Sequence, residues 1–333
     1  MDFHRLTDGP AVKTILLTNR YSGTPLAIVE SECPGGFALE FLERQDHDAL
    51  LCQARDADYI LAGGRLALTE DVLANAPRLK MVQRSGVGLD ALDLDAFRVR
   101  GIPLYVNQGV NAQSVAEHAL MLMLACLRRL PLVHADTRNG IWKKQEQGVQ
   151  TAELHGKTVG IVGMGHIAKT LVALLAPFGV RILYHDLVRA PVEFERQNNL
   201  EFVPLDDLLA RSDIVTLHCA LTDETRNLIC ADSIARMKDG AILVNTARGP
   251  IVDTAALADA LRRGKLAFAA IDAHPQEPIP GDYPLKTVDR VILTPHIAGV
   301  TADSFRAMMH GAFRNIALFD AGRLDEIAPF RYL

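Results

Sequence analysis

Short apolar runs of four to six residues alternate with stretches at helical spacing along most of this chain. Residues 14–18, 59–62, 80–83 and 103–106 read as buried strands. Between them, residues 36–44 and 69–75 read as amphipathic helical pieces. A long helical pattern then runs from about Ala112 to Arg138 with Gly140 as its stop, which at about 1.5 Å per residue would span roughly 40 Å. Its most apolar part, residues 119–127, is flanked by Glu117, His118, Arg128 and Arg129 and falls far short of the roughly 20 residues a membrane span needs. Strand-like runs return at 158–162, 181–185, 214–217, 241–244, 268–271 and 291–294, and residues 301–320 are helical again. Such alternation predicts an α/β protein with parallel sheets.

One stretch of that pattern carries chemistry. The run 158–162 leads into Gly163, Gly165 and Ala168, then a helical segment opening at His166 and Ile167, then a second strand ending at Asp186. Strand, Gly-rich turn, helix, strand and acid in that order form the context of a dinucleotide-binding fingerprint. Gly163 suits the tight turn, and Gly165 lets the backbone approach a pyrophosphate at the helix N-terminus. A carboxylate at Asp186 would accept the adenosine ribose hydroxyls and repel a 2′-phosphate, which favours NAD over NADP. Residues 86–91 share the Gly-x-Gly-x-x-Ala spacing, but the next strand candidate ends at Asn107 without an acid. That second match is not read as a dinucleotide site.

Length and composition narrow the class. At 333 residues two domains are expected. The fingerprint lies near mid-chain, so its domain is expected to be inserted into another. The division is 108–299 for the cofactor domain and 1–107 with 300–333 for an outer domain, with hinges at residues 107–109 and 298–299. A net charge of −5 with 49% hydrophobic and 23% charged residues gives no electrostatic case for nucleic acid or an anionic membrane. Five scattered cysteines, with no C-x-x-C pair, suit neither zinc nor a disulfide framework. A reducing cytoplasm and no metal are therefore expected. The first residues lack the order of a secretory signal, and no regulatory extension is expected after the core.

Three further segments each follow a strand candidate, where ligands gather in an open α/β sheet. They contribute Arg248, then Asp272 with Glu277, then His296. Taken singly, each is more often a surface charge or an ordinary polar residue. Their order behind one fingerprint points to a 2-oxo acid. Arg248 would hold its carboxylate and carbonyl oxygen, and His296 would exchange a proton with that oxygen. Glu277 would fix the imidazole tautomer.

These residues and their surroundings resemble the D-isomer-specific 2-hydroxyacid dehydrogenase family. The resemblance rests on residues 84–93, 111–117, 154–165, 217–222 and 245–249, on Glu277-Pro278, and on residues 294–299. It implies two doubly wound parallel-sheet domains, a Rossmann NAD domain inserted into a flavodoxin-like substrate domain. It also implies Arg248, Glu277 and His296 as the catalytic set. The N–H groups of Val87 and Gly88 would then receive the substrate carboxylate. Val115, Thr246, Ala247, Asp272, Ala298 and Gly299 would line the nicotinamide side, and His218, Cys219 and Ala220 the adenine side. Cys219-Ala220 departs from the commoner Leu-Pro or Val-Pro pair. Arg65 and Arg84 stand where phosphoglycerate-type relatives place arginines against a phosphate. Glyoxylate, hydroxypyruvate and 3-phosphoglycerate are the implied substrates, and a homodimer the implied assembly. A non-catalytic NAD-sensing corepressor and a phosphite-oxidising relative are the alternatives, while Glu277 argues against formate.

Overall fold

The structure is a computed structural model and describes residues 12–64 and 66–333. The chain divides into two compact units. The described residues up to Asn111 join Ala302–Leu333 in the first, and Ala112–Thr301 form the second.

The first unit holds a five-stranded parallel sheet of β1 (Lys13–Leu17), β2 (Phe37–Phe41), β3 (Tyr59–Ala62), β4 (Met81–Arg84) and β5 (Leu104–Tyr105), in the order β2-β1-β3-β4-β5. That is the flavodoxin-like order, whose switch point lies between β1 and β3. One layer of its core packs Ile15, Leu17, Tyr59 and Met81 with Met309, Phe313 and Ile316 of the helix Ala302–Asp320. β2 corrects the reading of residues 36–44 as a helical piece. Phe37, Leu39 and Phe41 fall on one side of a strand at period two, and β2 pairs with β1 over its full length.

The second unit is built on a seven-stranded parallel sheet. Its strands are β6 (Thr158–Val162), β7 (Arg181–His185), β8 (Leu200–Phe202), β9 (Ile214–Leu217), β10 (Ala241–Asn245), β11 (Leu266–Ile271) and β12 (Val291–Leu293), in the order β12-β11-β10-β9-β6-β7-β8. This is the Rossmann order extended by a strand, and its switch point falls between β6 and β9. The central strands are buried on both sides, as the solid apolar runs of β9 and β10 require.

The long helical pattern of residues 112–138 is two helices rather than one, Ala112–Leu127 and Leu130–Arg138, bent by 61°. Arg129 between them adopts a left-handed φ of 49°, and Pro131 sits in the first turn of the second helix. Proline cannot donate to a continuing helix, and its ring clashes with the preceding turn. The first of the two buries Ala119, Leu122, Met123 and Cys126 at helical spacing against the helix His166–Leu175. No single helix among the described residues is long and apolar enough to cross a membrane.

Candidate active site

Gly163 directly follows β6 with a φ of 91°, and an added Cβ would meet the Cys219 nitrogen at 2.6 Å and the His218 carbonyl carbon at 2.8 Å. Only glycine lets the turn after β6 lie against the turn after β9, so the switch point closes without side chains between. At Gly165 an added Cβ would meet nothing within 4 Å. Gly165 is the N-cap of the helix His166–Leu175, with no side-chain cap and no acid in its first turn. That end offers N–H groups and a positive dipole to an anion. Ala168 is fully buried, as the third position of the fingerprint requires for helix–sheet packing. His166 is exposed and Ile167 half-buried.

Asp186 directly follows β7, and its carboxylate accepts from Met164 N at 2.5 Å and Val188 N at 3.3 Å. The acid therefore braces the Gly-rich turn. Two buried polar atoms without partners line the same sheet edge, His218 Nδ1 after β9 and Thr246 Oγ1 after β10. Burial pushes the His218 imidazole down to about 4, so the ring is neutral. Its Nε2 pairs with Thr216 Oγ1 at 2.9 Å. Cys219 is half-buried, with its thiol pushed up to about 11 by burial, and Ala220 is exposed. Unpartnered polar atoms beside an open glycine turn fit a dinucleotide, whose polar groups would complete them.

His296 and Glu277 come together as a hydrogen-bonded pair. His296 Nδ1 lies 3.0 Å from each oxygen of Glu277. A carboxylate only accepts, so Nδ1 carries the hydrogen and Nε2 remains as the ring's proton site. Glu277 Oε1 also accepts from the His274 amide at 2.8 Å. His296 itself takes a left-handed φ of 57°, a region in which His, Asn and Asp are the non-glycine residues best tolerated.

Asp272 organises that turn. Its backbone carbonyl accepts from His296 N at 2.8 Å, Oδ1 from Ile297 N at 3.0 Å and Thr294 Oγ1 at 2.6 Å, and Oδ2 from Ala298 N at 3.0 Å. Ala298 is buried, and its carbonyl accepts from Ser114 Oγ at 2.8 Å. Gly299 is half-buried next to it, and Val115 is buried on the helix beside Ser114.

Arg248 follows β10 in a loop latched by Asn245, whose side chain donates to the Arg248 carbonyl and accepts from Ala247 N, both at 2.9 Å. The next residue, Gly249, presses against the His274–Pro275 backbone, where an added Cβ would stand 2.0 Å from the His274 carbonyl carbon. The loops of Arg248 and of Glu277 are thus in direct backbone contact.

Several site residues escaped the sequence reading. His118 Nε2 donates to Thr294 Oγ1 at 3.3 Å, which in turn donates to Asp272. His274, fully enclosed, bonds the Thr294 carbonyl at 2.9 Å and the Tyr283 hydroxyl at 3.1 Å. The carbonyl can only accept, so Nε2 carries the hydrogen and Tyr283 donates to Nδ1. The available signal was position: His118 lies one turn after Val115, and Thr294 two residues before His296.

In the first unit, Arg84 donates from Nε to the Gly88 carbonyl at 2.7 Å and from Nη2 to the Gly64 carbonyl at 2.8 Å. Asn107 donates to the carbonyls of Ser85 and Met308, at 3.1 and 2.8 Å. Residues 85–88 are therefore held by side chains bonded to their carbonyls. No described group takes the N–H of Val87 or Gly88. Arg65 lies outside the described residues.

A family model described as D-isomer specific 2-hydroxyacid dehydrogenase, NAD binding domain, matches residues 120–298. The chain is 39% identical over 305 residues to the D-3-phosphoglycerate dehydrogenase of Mycobacterium tuberculosis, which covers 88% of this chain and 57% of that protein. It thus spans little more than half the length of that relative. It is 40% identical over 274 residues to the glyoxylate reductase of Thermofilum pendens, covering 82% of this chain and 78% of the other. D-Lactate dehydrogenase from Aquifex aeolicus, solved with NAD and lactic acid, superposes with a TM-score of 0.83 at 27% identity, covering 96% and 99%. On the family model that matches more than half of its residues and on these relatives, the chain belongs to the D-isomer specific 2-hydroxyacid dehydrogenase family.

Proposed function

We propose that the protein is an NAD(H)-dependent oxidoreductase that interconverts a small D-2-hydroxy acid and its 2-oxo acid. The observation that carries this is the His296 Nδ1 pairing with both oxygens of Glu277 at 3.0 Å. Bound nicotinamide supplies or accepts the hydride at C2 of the substrate. His296 Nε2 gives a proton to the C2 oxygen in reduction and takes it back in oxidation. Glu277 stabilises the imidazolium form and fixes the ring. Arg248 holds the substrate carboxylate by charge-assisted contact; within the first unit, the N–H groups of Val87 and Gly88 are donors suited to a carboxylate.

Asp186 selects NAD through the ribose hydroxyls. Arg84, already committed to two carbonyls, acts as a brace for the carboxylate loop. The matches to phosphoglycerate dehydrogenases and glyoxylate reductases support 3-phosphoglycerate and glyoxylate as substrates, and hydroxypyruvate is proposed beside them. Five free cysteines among the described residues suit a reducing cytoplasm.

The assembly proposed is a homodimer. An open groove of about 700 Å³ is lined by Met121, Leu124, Leu130, Val133, Ile141 and Trp142. Trp142 is 80% and Leu130 56% exposed, the kind of contiguous apolar patch that a second copy would cover. The deciding experiment follows NADH oxidation with a panel of 2-oxo acids. Turnover is expected as NADH oxidation with glyoxylate or hydroxypyruvate, or as NADH formation from NAD with 3-phosphoglycerate, which is a 2-hydroxy acid. NADH binding without turnover on any of them would overturn the enzymatic reading in favour of a cofactor-sensing protein.

A further inference from the structure

The turn after β7 contains an ion pair that the proposed reaction does not use. Residues 186–192 hold a single cation, Arg189. Its Nε and Nη2 donate to Glu195 Oε1 and Oε2 at 2.9 and 2.8 Å. The Tyr184 hydroxyl donates to the same Oε1 at 2.5 Å and accepts from Ala190 N at 2.9 Å. The guanidinium carbon also lies 5.6 Å from the centre of the Phe202 ring. The Glu195 side chain is only 7% exposed, while that of Arg189 is 56% exposed.

Stability does not account for this arrangement. Enclosing a carboxylate costs solvation that an ion pair seldom returns, and an apolar replacement is often neutral. Its position is informative instead. Asp186 Oδ1 accepts from the amide of Val188, the residue just before Arg189. A flexible arginine three residues past Asp186 would therefore reach the space beside the ribose. An unpaired arginine is a strong phosphate partner because its fork matches two oxygens.

We propose that Glu195 is a specificity-determining residue: by holding Arg189 in a bidentate pair, it denies a cation to a ribose 2′-phosphate and so enforces NAD over NADP. This rests on the reading of Asp186 as the ribose contact. Selection then has two layers, a carboxylate facing the 2′ position and a neighbouring arginine kept neutralised. Arg189 and Tyr184 together hold the Glu195 carboxyl down to about 2, so the pair persists across the working pH range.

The test measures NADH and NADPH dissociation constants by fluorescence titration of the full chain. Glu195→Gln keeps an acceptor for Tyr184 and releases Arg189. The NADPH-to-NADH ratio of dissociation constants should fall about tenfold, the size of one charge-assisted contact. The double variant Arg189→Ala, Glu195→Gln should return the ratio to the wild-type value. A ratio unchanged in Glu195→Gln overturns the proposal. So does a gain that survives in the double variant, because it would come from lost negative charge alone. If Glu195→Gln does not fold, Glu195→Asp withdraws the carboxylate by one methylene and should move the ratio the same way, and an unchanged ratio there is equally decisive. Asp186→Asn reads the underlying assignment separately: if it leaves the ratio unchanged, the ribose reading itself fails.

Discussion

Gly249→Ala isolates the backbone contact that holds the loop of Arg248 against the loop of Glu277. The added Cβ would stand 2.0 Å from the His274 carbonyl carbon, 2.2 Å from Pro275 N and 2.4 Å from the His274 carbonyl oxygen, where ordinary contact begins at 3.4 Å. All three atoms are backbone, so no side chain can rotate away and the loops must separate. Gly249 has no left-handed φ, so the clash is the whole effect. A displacement on the order of an ångström carries Arg248 away from the Glu277–His296 pair, and such a misplacement costs on the order of 100-fold in rate. Overpacking a tight contact also costs about 1–3 kcal/mol, or a lowering of Tm by roughly 2–4 °C per kcal/mol in a protein of this size class. Steady-state kcat/KM on the best 2-oxo acid and a thermal melt together read both effects. A variant with wild-type kcat/KM and Tm would refute the contact between the two loops.

Three further outcomes are expected. His296→Asn suits the left-handed backbone and keeps a donor for Glu277, so turnover should fall about 10²–10⁴-fold while NADH affinity stays within about twofold; parallel loss of both would exclude proton transfer by His296. His218 is held neutral, with its imidazole down to about 4 from 6.5. The stability this confers is complete above pH 6.5 and is lost as pH falls towards 4, about 3 kcal/mol in all. His218→Gln should flatten that slope in urea midpoints between pH 7 and 4, and parallel slopes in the two proteins would contradict it. Trp142→Glu should convert the proposed dimer to monomer at micromolar concentration in analytical ultracentrifugation, whereas an unchanged dimer would place the interface elsewhere.

Much of the fold was legible because buried parallel strands are continuous apolar runs. β3, β6, β7 and β9 occupy the predicted residues. The failures have local causes. Within residues 36–44 only Phe37–Phe41 alternate at period two, and a run that short supports a helical period equally well. The break at Arg129 hid inside an apolar pattern that continues on both sides, although Pro131 marked it. At the site, the Gly-rich turn and the His–Glu pair could be read from order alone. The supporting shell could not, because Asn245, His118 and Thr294 act through tertiary hydrogen bonds that leave no periodic trace. The close approach at Gly249 is equally silent in one sequence, where a glycine after Arg248 looks like any loop residue.

The amides of His296, Ile297 and Ala298 all close on one residue, Asp272. Three consecutive amides with a common acceptor residue have no independent openings. In hydrogen exchange they should behave as one unit, protected together and released together. The molecule then has no intermediate form in which the imidazole is misaimed while its neighbours stay ordered. Heating or denaturant would reduce the fraction of molecules with an aligned turn rather than blur the alignment in every molecule, so residual activity would report a population.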